Sequence, residues 1–153
     1  MAKKFVTSAL DTHLGYWMRY VSNHVSHAFA QKVEAKGVTV AEWVLLRQLY
    51  DAGGVNPSQL AEQLGMTRGA ISKLVERLNQ KKLVVRKSEA GDRRFQTVEL
   101  TPVGRRLVPV LAKLADENDQ TFFGHLSERE RTLIATALQD IVHRNGWKNL
   151  PVD

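Results

Sequence analysis

Two short helical patterns separated by one glycine, and followed at once by a β-type pattern, constrain the fold of this chain more than any other feature. The run Asn-Pro-Ser-Gln at 56–59 predicts a helix start, with Asn as the cap and Pro at the first helical position. That helix ends at Gly65, and Thr67 is placed to cap a second helix. The second helix has one apolar face, formed by Ile71, Leu74, Val75 and Leu78. Helix, tight turn and helix together predict a helix-turn-helix.

The repeat then changes to the two-residue period of a β-strand. Residues 83–87 are short and rich in valine, and residues 88–92 have the composition of a turn. From Arg94 to Leu100 the side chains alternate, with Gln96, Val98 and Leu100 on one face. This pattern predicts a β-hairpin, which forms a wing beside the helix-turn-helix. Residues 39–101 are therefore expected to form a winged helix-turn-helix.

Longer helical patterns flank this region on both sides. Residues 10–35 predict one amphipathic helix, and a capping box at Thr39 and Glu42 opens a helix that continues to Leu49. Thr101-Pro102 starts a helix that continues to about residue 123, and a second capping box at 127–130 starts a last helix that ends near residue 146. The expected fold is mainly α with a small β-hairpin wing, in one unit spanning residues 1–153. A single winged helix needs only about the middle half of this chain, so residues 10–36 and 102–146 are interpreted as dimerisation helices.

The positive charge is concentrated in the middle of the chain. The formal net charge is +6, and residues 66–106 carry eleven Lys and Arg against four Asp and Glu. The rest of the chain is close to neutral. A basic block on a helix-turn-helix and wing predicts double-stranded DNA as the partner.

The second helix of such a motif presents its N-terminal residues to base edges in the major groove. Once the apolar face is turned inward, seven residues are predicted to face DNA: Thr67, Arg68, Gly69, Ala70, Ser72, Lys73 and Arg77. Arg68 or Lys73 could bind a guanine edge, whereas Thr67, Ser72 and Arg77 are better placed for phosphates.

The predicted wing contributes Arg86, Asp92, Arg93 and Arg94. An arginine at a wing tip suits the narrow minor groove, where the negative potential is enhanced. Asp92 allows two interpretations: it orients Arg86 or Arg94 by a charge-assisted bond, or it is a turn-forming residue after Gly91.

The run Asp92-Arg-Arg-Phe-Gln-Thr-Val-Glu-Leu-Thr101 strongly resembles the wing signature of MarR-type transcriptional regulators. Residues 60–65 and the helix from Thr67 to Leu78 are similar to the helix-turn-helix of that family, and the order of elements agrees over nearly the whole chain. The resemblance implies a homodimer with interleaved terminal helices, with Arg94 in the minor groove of a pseudo-palindromic operator. It also implies a regulator, typically a repressor, that releases DNA on binding a small phenolic or other aromatic acid.

One position departs from the family pattern. The family usually has glycine immediately before the leucine that starts the wing, where this chain has Lys82. Either Lys82 adopts a left-handed backbone at a cost of about 1 kcal/mol, or the helix ends in another geometry.

An anionic aromatic effector needs stacking surface and a cation. His13, Tyr16 and Trp17 on the first helix, with Trp43 and Arg47 on the second, are the candidate residues, although Trp17 and Trp43 also suit a plain core. His24 and His27, three residues apart, are interpreted as surface residues rather than zinc ligands, since no acid or cysteine accompanies them.

Other classes of function are disfavoured by what the sequence lacks. There is no cysteine, which excludes disulfides, thiolate metal sites and thiol-based sensing. No nucleophile motif or glycine-rich phosphate loop points to an enzyme, and no cofactor is expected. No apolar run is long enough for a bilayer and the N-terminus lacks an apolar signal region, so a cytoplasmic protein is expected. The remaining alternative is a winged helix that binds proteins without specific DNA binding.

Overall fold

The computed structural model describes residues 6–88 and 96–152. In that part of the chain, six α-helices and one antiparallel pair of strands follow one another. Their bounds are α1 Leu14–Glu34, α2 Val40–Tyr50, α3 Pro57–Leu64, α4 Arg68–Gln80, β1 Val84–Ser88, β2 Gln96–Leu100, α5 Pro102–Phe123 and α6 Glu128–Asn145. The mainly α fold with a small β-hairpin is confirmed.

The helix-turn-helix forms through the local interactions that its sequence predicts. The side chain of Asn56 accepts a hydrogen bond from the backbone N–H of Ser58 (2.7 Å) at the start of α3. Gly65 ends α3 in the left-handed region, with φ of 62°. Thr67 then caps α4 by accepting from the N–H of Ala70 (3.1 Å). These contacts satisfy backbone groups that have no partner inside a helix, so α3 and α4 meet at a sharp, defined turn.

The wing is a two-stranded hairpin in which Val84 lies opposite Leu100 and Ser88 lies opposite Gln96. Val98 faces inward and is fully buried. It also pairs with Val55, whose N–H donates to the Val98 carbonyl (3.1 Å) and so attaches the α2–α3 connection to the sheet. Arg94, predicted as the start of the second strand, lies outside the described residues.

The core lies between α2, α3, α4 and the base of the hairpin, with α1 and α5 closing one side. Its fully buried side chains are mostly leucine and valine, and they include Leu45, Leu46, Leu49, Leu60, Leu64, Ile71, Leu78 and Leu111. The four apolar residues predicted to form the inner face of α4 are all buried. This core holds α4 with its polar face outward.

The first long helix begins later than predicted. Residues 10–12 form a short 3-10 turn, and His13 has an extended backbone (φ −90°, ψ 125°) that interrupts the helical ladder. The indole N–H of Trp17 donates to the carbonyl of Asp11 (2.8 Å), which holds this turn against the start of α1. The helix therefore spans residues 14–34 rather than 10–35, and Leu10 and Leu14 remain about three-quarters exposed.

A close approach of backbones places α5 against the wing. Gly104, in the first turn of α5, is buried directly on the carbonyl group of Leu83, and a β-carbon at this position would collide with it. The N–H of Thr101 donates to the same carbonyl (3.0 Å). The glycine allows α5 to start where β2 ends, so the long helix is anchored to the DNA-binding region.

Two helices leave wide apolar surfaces uncovered. Trp17 and Val21 on α1 and Leu138 and Ile141 on α6 are between 37% and 51% exposed, and α6, all of which is described, has no buried residue. Within residues 6–88 and 96–152, no helix combines the length and apolar character that crossing a bilayer requires.

Candidate nucleic-acid interface and ligand cavity

The outer face of α4 carries the predicted DNA-contacting residues. Their exposed members are Thr67, Arg68, Gly69, Ser72, Lys73 and Arg77, while Ala70 is half-buried. Gly69 has only the hydroxyl oxygen of Thr67 within 4 Å of where a β-carbon would lie. This end of the helix is thus small, polar and positively charged, as close approach to base edges requires.

An ion pair joins the wing to the recognition helix. Arg86 on β1 donates from Nη1 to Oε2 of Glu76 on α4 (3.3 Å), with both side chains partly exposed. On the other side of the hairpin, Nζ of Lys87 lies 2.8 Å from Oε2 of Glu99. Exposed pairs of this kind contribute little stability, but they set which way Arg86 points. Asp92, the alternative partner predicted for Arg86, lies outside the described residues, as do Arg93 and Arg94.

Not all of the basic block faces outward. Nζ of Lys81 donates to both carboxylate oxygens of Glu42 (3.0 and 2.8 Å) and to the Gly37 carbonyl (2.8 Å), which ties the end of α4 to the start of α2. Arg105 donates to the Tyr50 carbonyl (3.2 Å) and lies over the Tyr50 ring. These two cations hold the fold together, so less of the charge is available to DNA than the sequence count implies.

The five residues predicted to bind an effector do not come together in the chain. His13, Tyr16 and Trp17 lie at the exposed start of α1, where the Tyr16 and Trp17 rings meet edge to face at 5.1 Å. Arg47 is on a different surface, 2.7 Å from the carboxylate of Asp51. Trp43 alone of the five lines the cavity described next. Within one chain they are apart because α1 crosses α2 near the C-terminal half of α1, far from His13.

A cavity of about 330 Å³ lies where α1, α2 and α5 meet. Its walls are mostly apolar and include Val25, Phe29, Val40, Trp43 and Val44, together with Asn118, Asp119 and Pro151. The volume is at the small end of the range for organic ligands. It lies between the flanking helices and the winged region.

Residues 36–94 match the sequence profile of the MarR family. The chain is 29% identical over 144 residues to a putative transcriptional regulatory protein for the hcr operon of Thauera aromatica, which covers 94% of this chain and 87% of that protein. The structure of Staphylococcus aureus MepR in complex with DNA is similar, with a TM-score of 0.75, 28% identity and coverage of 86% and 98% of the two chains. BpsR of Bordetella bronchiseptica, whose DNA binding is regulated by 6-hydroxynicotinic acid, has a TM-score of 0.74, 26% identity and coverage of 89% and 97%.

The chain thus matches the MarR family over its winged helix-turn-helix and has the fold of solved MarR-family structures over most of its length. The relatives that it matches are DNA-binding transcriptional regulators. Its relatives are regulators rather than enzymes. The order of helices predicted from the sequence is the one that the structure has, with a long helix before the winged region and two helices after it.

Asn118 was not among the site residues predicted from the sequence. Its side chain is 3% exposed, and Nδ2 donates to the Val25 carbonyl of α1 (3.2 Å) while Oδ1 accepts from Nζ of Lys32 (3.0 Å). A signal was present, because Asn118 follows Leu111 and Leu114 on the apolar stripe of α5. A polar residue in such a stripe indicates a buried hydrogen bond, and here it joins α5 to α1 at the wall of the cavity.

The histidines show no clustering that would favour a metal. His24 stacks on Tyr20, with ring centroids 5.5 Å apart, and His27 is exposed. Over the described ranges, no three His, Cys, Asp or Glu side chains are grouped to hold a metal ion.

Proposed function

We propose that this chain is a MarR-family regulator, a homodimeric repressor that releases its operator when a small aromatic acid fills the cavity beside Trp43. In this proposal α4 reads the major groove and Arg94 enters the minor groove. The observation that carries it is the exposed basic face of α4, held outward by a fully buried apolar face.

The uncovered apolar helices support the homodimer. A groove of about 480 Å³ runs between α1, the end of α5 and α6, and its walls are almost entirely apolar, with Trp17, Val21, Phe122 and Ile134 among them. Patches of this kind mark protein interfaces. A second copy would cover them, and its α4 would then lie about 34 Å away, one turn of DNA, on a pseudo-palindrome.

The contribution of the wing can be tested by replacing Arg94 with alanine. We expect Arg94→Ala to weaken binding to operator DNA and to lower the slope of log affinity against log salt by about one, as for one lost phosphate contact. The measurement is a gel-shift or anisotropy titration on DNA selected from genomic fragments by the purified protein. Arg129→Ala on α6 removes the same charge far from the helix-turn-helix and is the control. Binding that is absent or independent of salt would instead favour a protein-interaction module.

The effector part of the proposal is supported by the chemistry of the cavity. Trp43 and Phe29 offer aromatic surface. The ammonium of Lys32 donates a hydrogen bond to the side chain of Asn118, which lines the cavity. A positive charge therefore lies directly behind this part of the wall. Asp119 also borders the cavity, but its side chain is exposed, and solvent screens its charge. An aromatic ring carrying one carboxylate matches this set, and 6-hydroxynicotinic acid is a ligand of this type.

This effector site is tested with 6-hydroxynicotinate and 4-hydroxybenzoate as probes. We expect at least one of them to raise the Tm of the protein and to weaken its operator binding. Lys32→Gln should reduce both effects, whereas Lys36→Gln, an exposed lysine in the turn after α1, should leave them unchanged. If a wider set of aromatic acids neither raises the Tm nor releases DNA, the effector proposal is wrong, while DNA binding stands on its own test.

A further inference from the structure

The chain does not end with α6 but turns back onto the helix-turn-helix. Helix α6 stops at Gly146 in the left-handed region (φ 64°). Residues 148–152, called the C-terminal tail below, then run to the end of α3. There the N–H of Leu150 donates to the carbonyl of Leu64 (3.4 Å). The last helix is thereby connected to the turn between α3 and α4.

Gly65 shows how closely the C-terminal tail lies on that turn. A β-carbon at Gly65 would be 2.6 Å from the carbonyl oxygen of Lys148 and 2.8 Å from Cα of Asn149. Both distances are too short for a real contact, and both involve backbone atoms. Gly65 therefore serves two purposes: it adopts a φ that other residues avoid, and it leaves room for the C-terminal tail.

The same C-terminal tail forms part of the ligand cavity. Pro151 lines it together with Phe29 and Trp43. Leu150 and Pro151 are neighbours, so their α-carbons are about 3.8 Å apart and cannot move independently. A group that pushes Pro151 outward must also shift Leu150 on the turn at Leu64.

We propose that the C-terminal tail couples the cavity to the helix-turn-helix. A ligand that enters the cavity displaces Pro151, and Leu150 then loses its hydrogen bond to Leu64 while Lys148 and Asn149 move away from Gly65. With the tail seated, α4 is restrained relative to α6. With the tail released, α4 is free to move, and DNA must order it on binding. The conformational entropy lost in that step lowers the affinity for DNA. This inference rests on the proposed function, in which the cavity takes a ligand and α4 binds DNA.

Removing the C-terminal tail should therefore lower the affinity for operator DNA, as the ligand does. The test is a chain that ends at Trp147, which lacks one lysine and one aspartate and so keeps the net side-chain charge of the full chain. We expect its operator affinity to fall about fivefold or more, the lower end of typical allosteric coupling, and 6-hydroxynicotinate to cause no further loss. Lys148→Gln in the full chain is the control. A truncated chain that binds as tightly as the full chain, or a loss reproduced by Lys148→Gln alone, would overturn the coupling.

The contact between the C-terminal tail and Gly65 is tested separately by a pair of glycine variants. Gly65→Ala and Gly37→Ala both place alanine at a positive φ, but only at Gly65 does the new β-carbon meet the tail, because Gly37 has nothing within 4 Å. In the full chain, Gly65→Ala should lower the Tm by roughly 3 °C more than Gly37→Ala. In the chain ending at Trp147 this excess should disappear. An excess that is the same in both backgrounds would show that the tail is not seated on Gly65.

These outcomes separate the inference from the proposed function. If the full chain binds no operator, the proposed function fails, and the glycine variants still report whether the C-terminal tail is seated. If the full chain binds and the truncated chain binds equally well, DNA binding stands and the coupling is wrong.

Discussion

At the scale of single residues, Lys82 has a strained, left-handed backbone conformation. It has a φ of 60°, and in the described residues it is the one non-glycine residue with a positive φ. The N–H groups of Lys82 and Leu83 donate to the carbonyls of Asn79 and Leu78 (both 2.9 Å), a Schellman-type end for α4. Of the two geometries that the sequence allowed, the left-handed one is adopted. The wing therefore leaves α4 as it would after a glycine.

Lys82→Gly should stabilise the protein by about 1 kcal/mol, because glycine adopts this backbone without steric strain. The measurement is the free energy of unfolding in urea. Lys82→Ala removes the same charge but keeps a β-carbon, and it should give no such gain. Equal stability of the two variants would mean that the backbone at residue 82 is not strained.

At the scale of one element, α6 depends on its capping box. The hydroxyl of Ser127 accepts from the N–H of Glu130, and the N–H of Ser127 donates to Oε1 of Glu130, both at 3.1 Å. The hydrogen bonds from the Ser127 side chain and backbone, with a smaller contribution from the charge of His125, lower the pKa of Glu130 below its usual value. A lowered folded pKa means that the stabilisation is complete above the unfolded pKa and is lost as pH falls through the folded one.

Ser127→Ala should therefore raise the pKa of Glu130 toward its ordinary value. The stability of α6 should then depend less on pH in the acid range. The carboxyl resonance of Glu130, followed by NMR during a pH titration, measures this directly. Thr132→Ala, an exposed residue of the same helix outside the box, is the control and should leave the pKa unchanged. A Glu130 titration identical in wild type and Ser127→Ala would contradict the capping contribution.

At the scale of the whole molecule, the single chain is divided into a well-packed centre and uncovered flanking helices. The buried residues belong mainly to α2–α5 and the sheet, while α6 has none within the described structure. An amphipathic helix with nothing on its apolar face gains little from packing. The proposed homodimer would supply the missing surface.

Leu138→Lys, on the apolar face of α6, should convert the proposed dimer to a monomer with a lower Tm. Burying a lysine in an apolar interface is costly, and the stability of a dimer depends on its association. Sedimentation or light scattering gives the mass, and Thr136→Lys, about half a turn away on the polar face, is the control. A wild-type protein that is monomeric at all concentrations would rule the dimer out.

Much of the fold could be predicted because its signals are local. Asn56, Thr67, Thr101 and Ser127 each cap a helix, and the alternation around Val98 predicts the second strand. The outward residues of α4 also followed from periodicity, since a buried apolar face determines which side chains remain outside. The prediction that the first helix starts at Leu10 failed, because a hydrophobic repeat does not reveal the hydrogen bonds that interrupt it.

The sequence by itself determined the order of the elements, their caps and the polar face of α4, because these depend on residues within a few positions of one another. Only the tertiary structure decided that Lys81 bonds Glu42, that Asn118 joins α5 to α1, and that Trp43 rather than Trp17 lines the cavity. Each of these depends on how two distant helices cross, and periodicity along one helix carries no information about that. The path of the C-terminal tail belongs with them, since the fit of Lys148 and Asn149 on Gly65 exists only once α6 has brought the chain back.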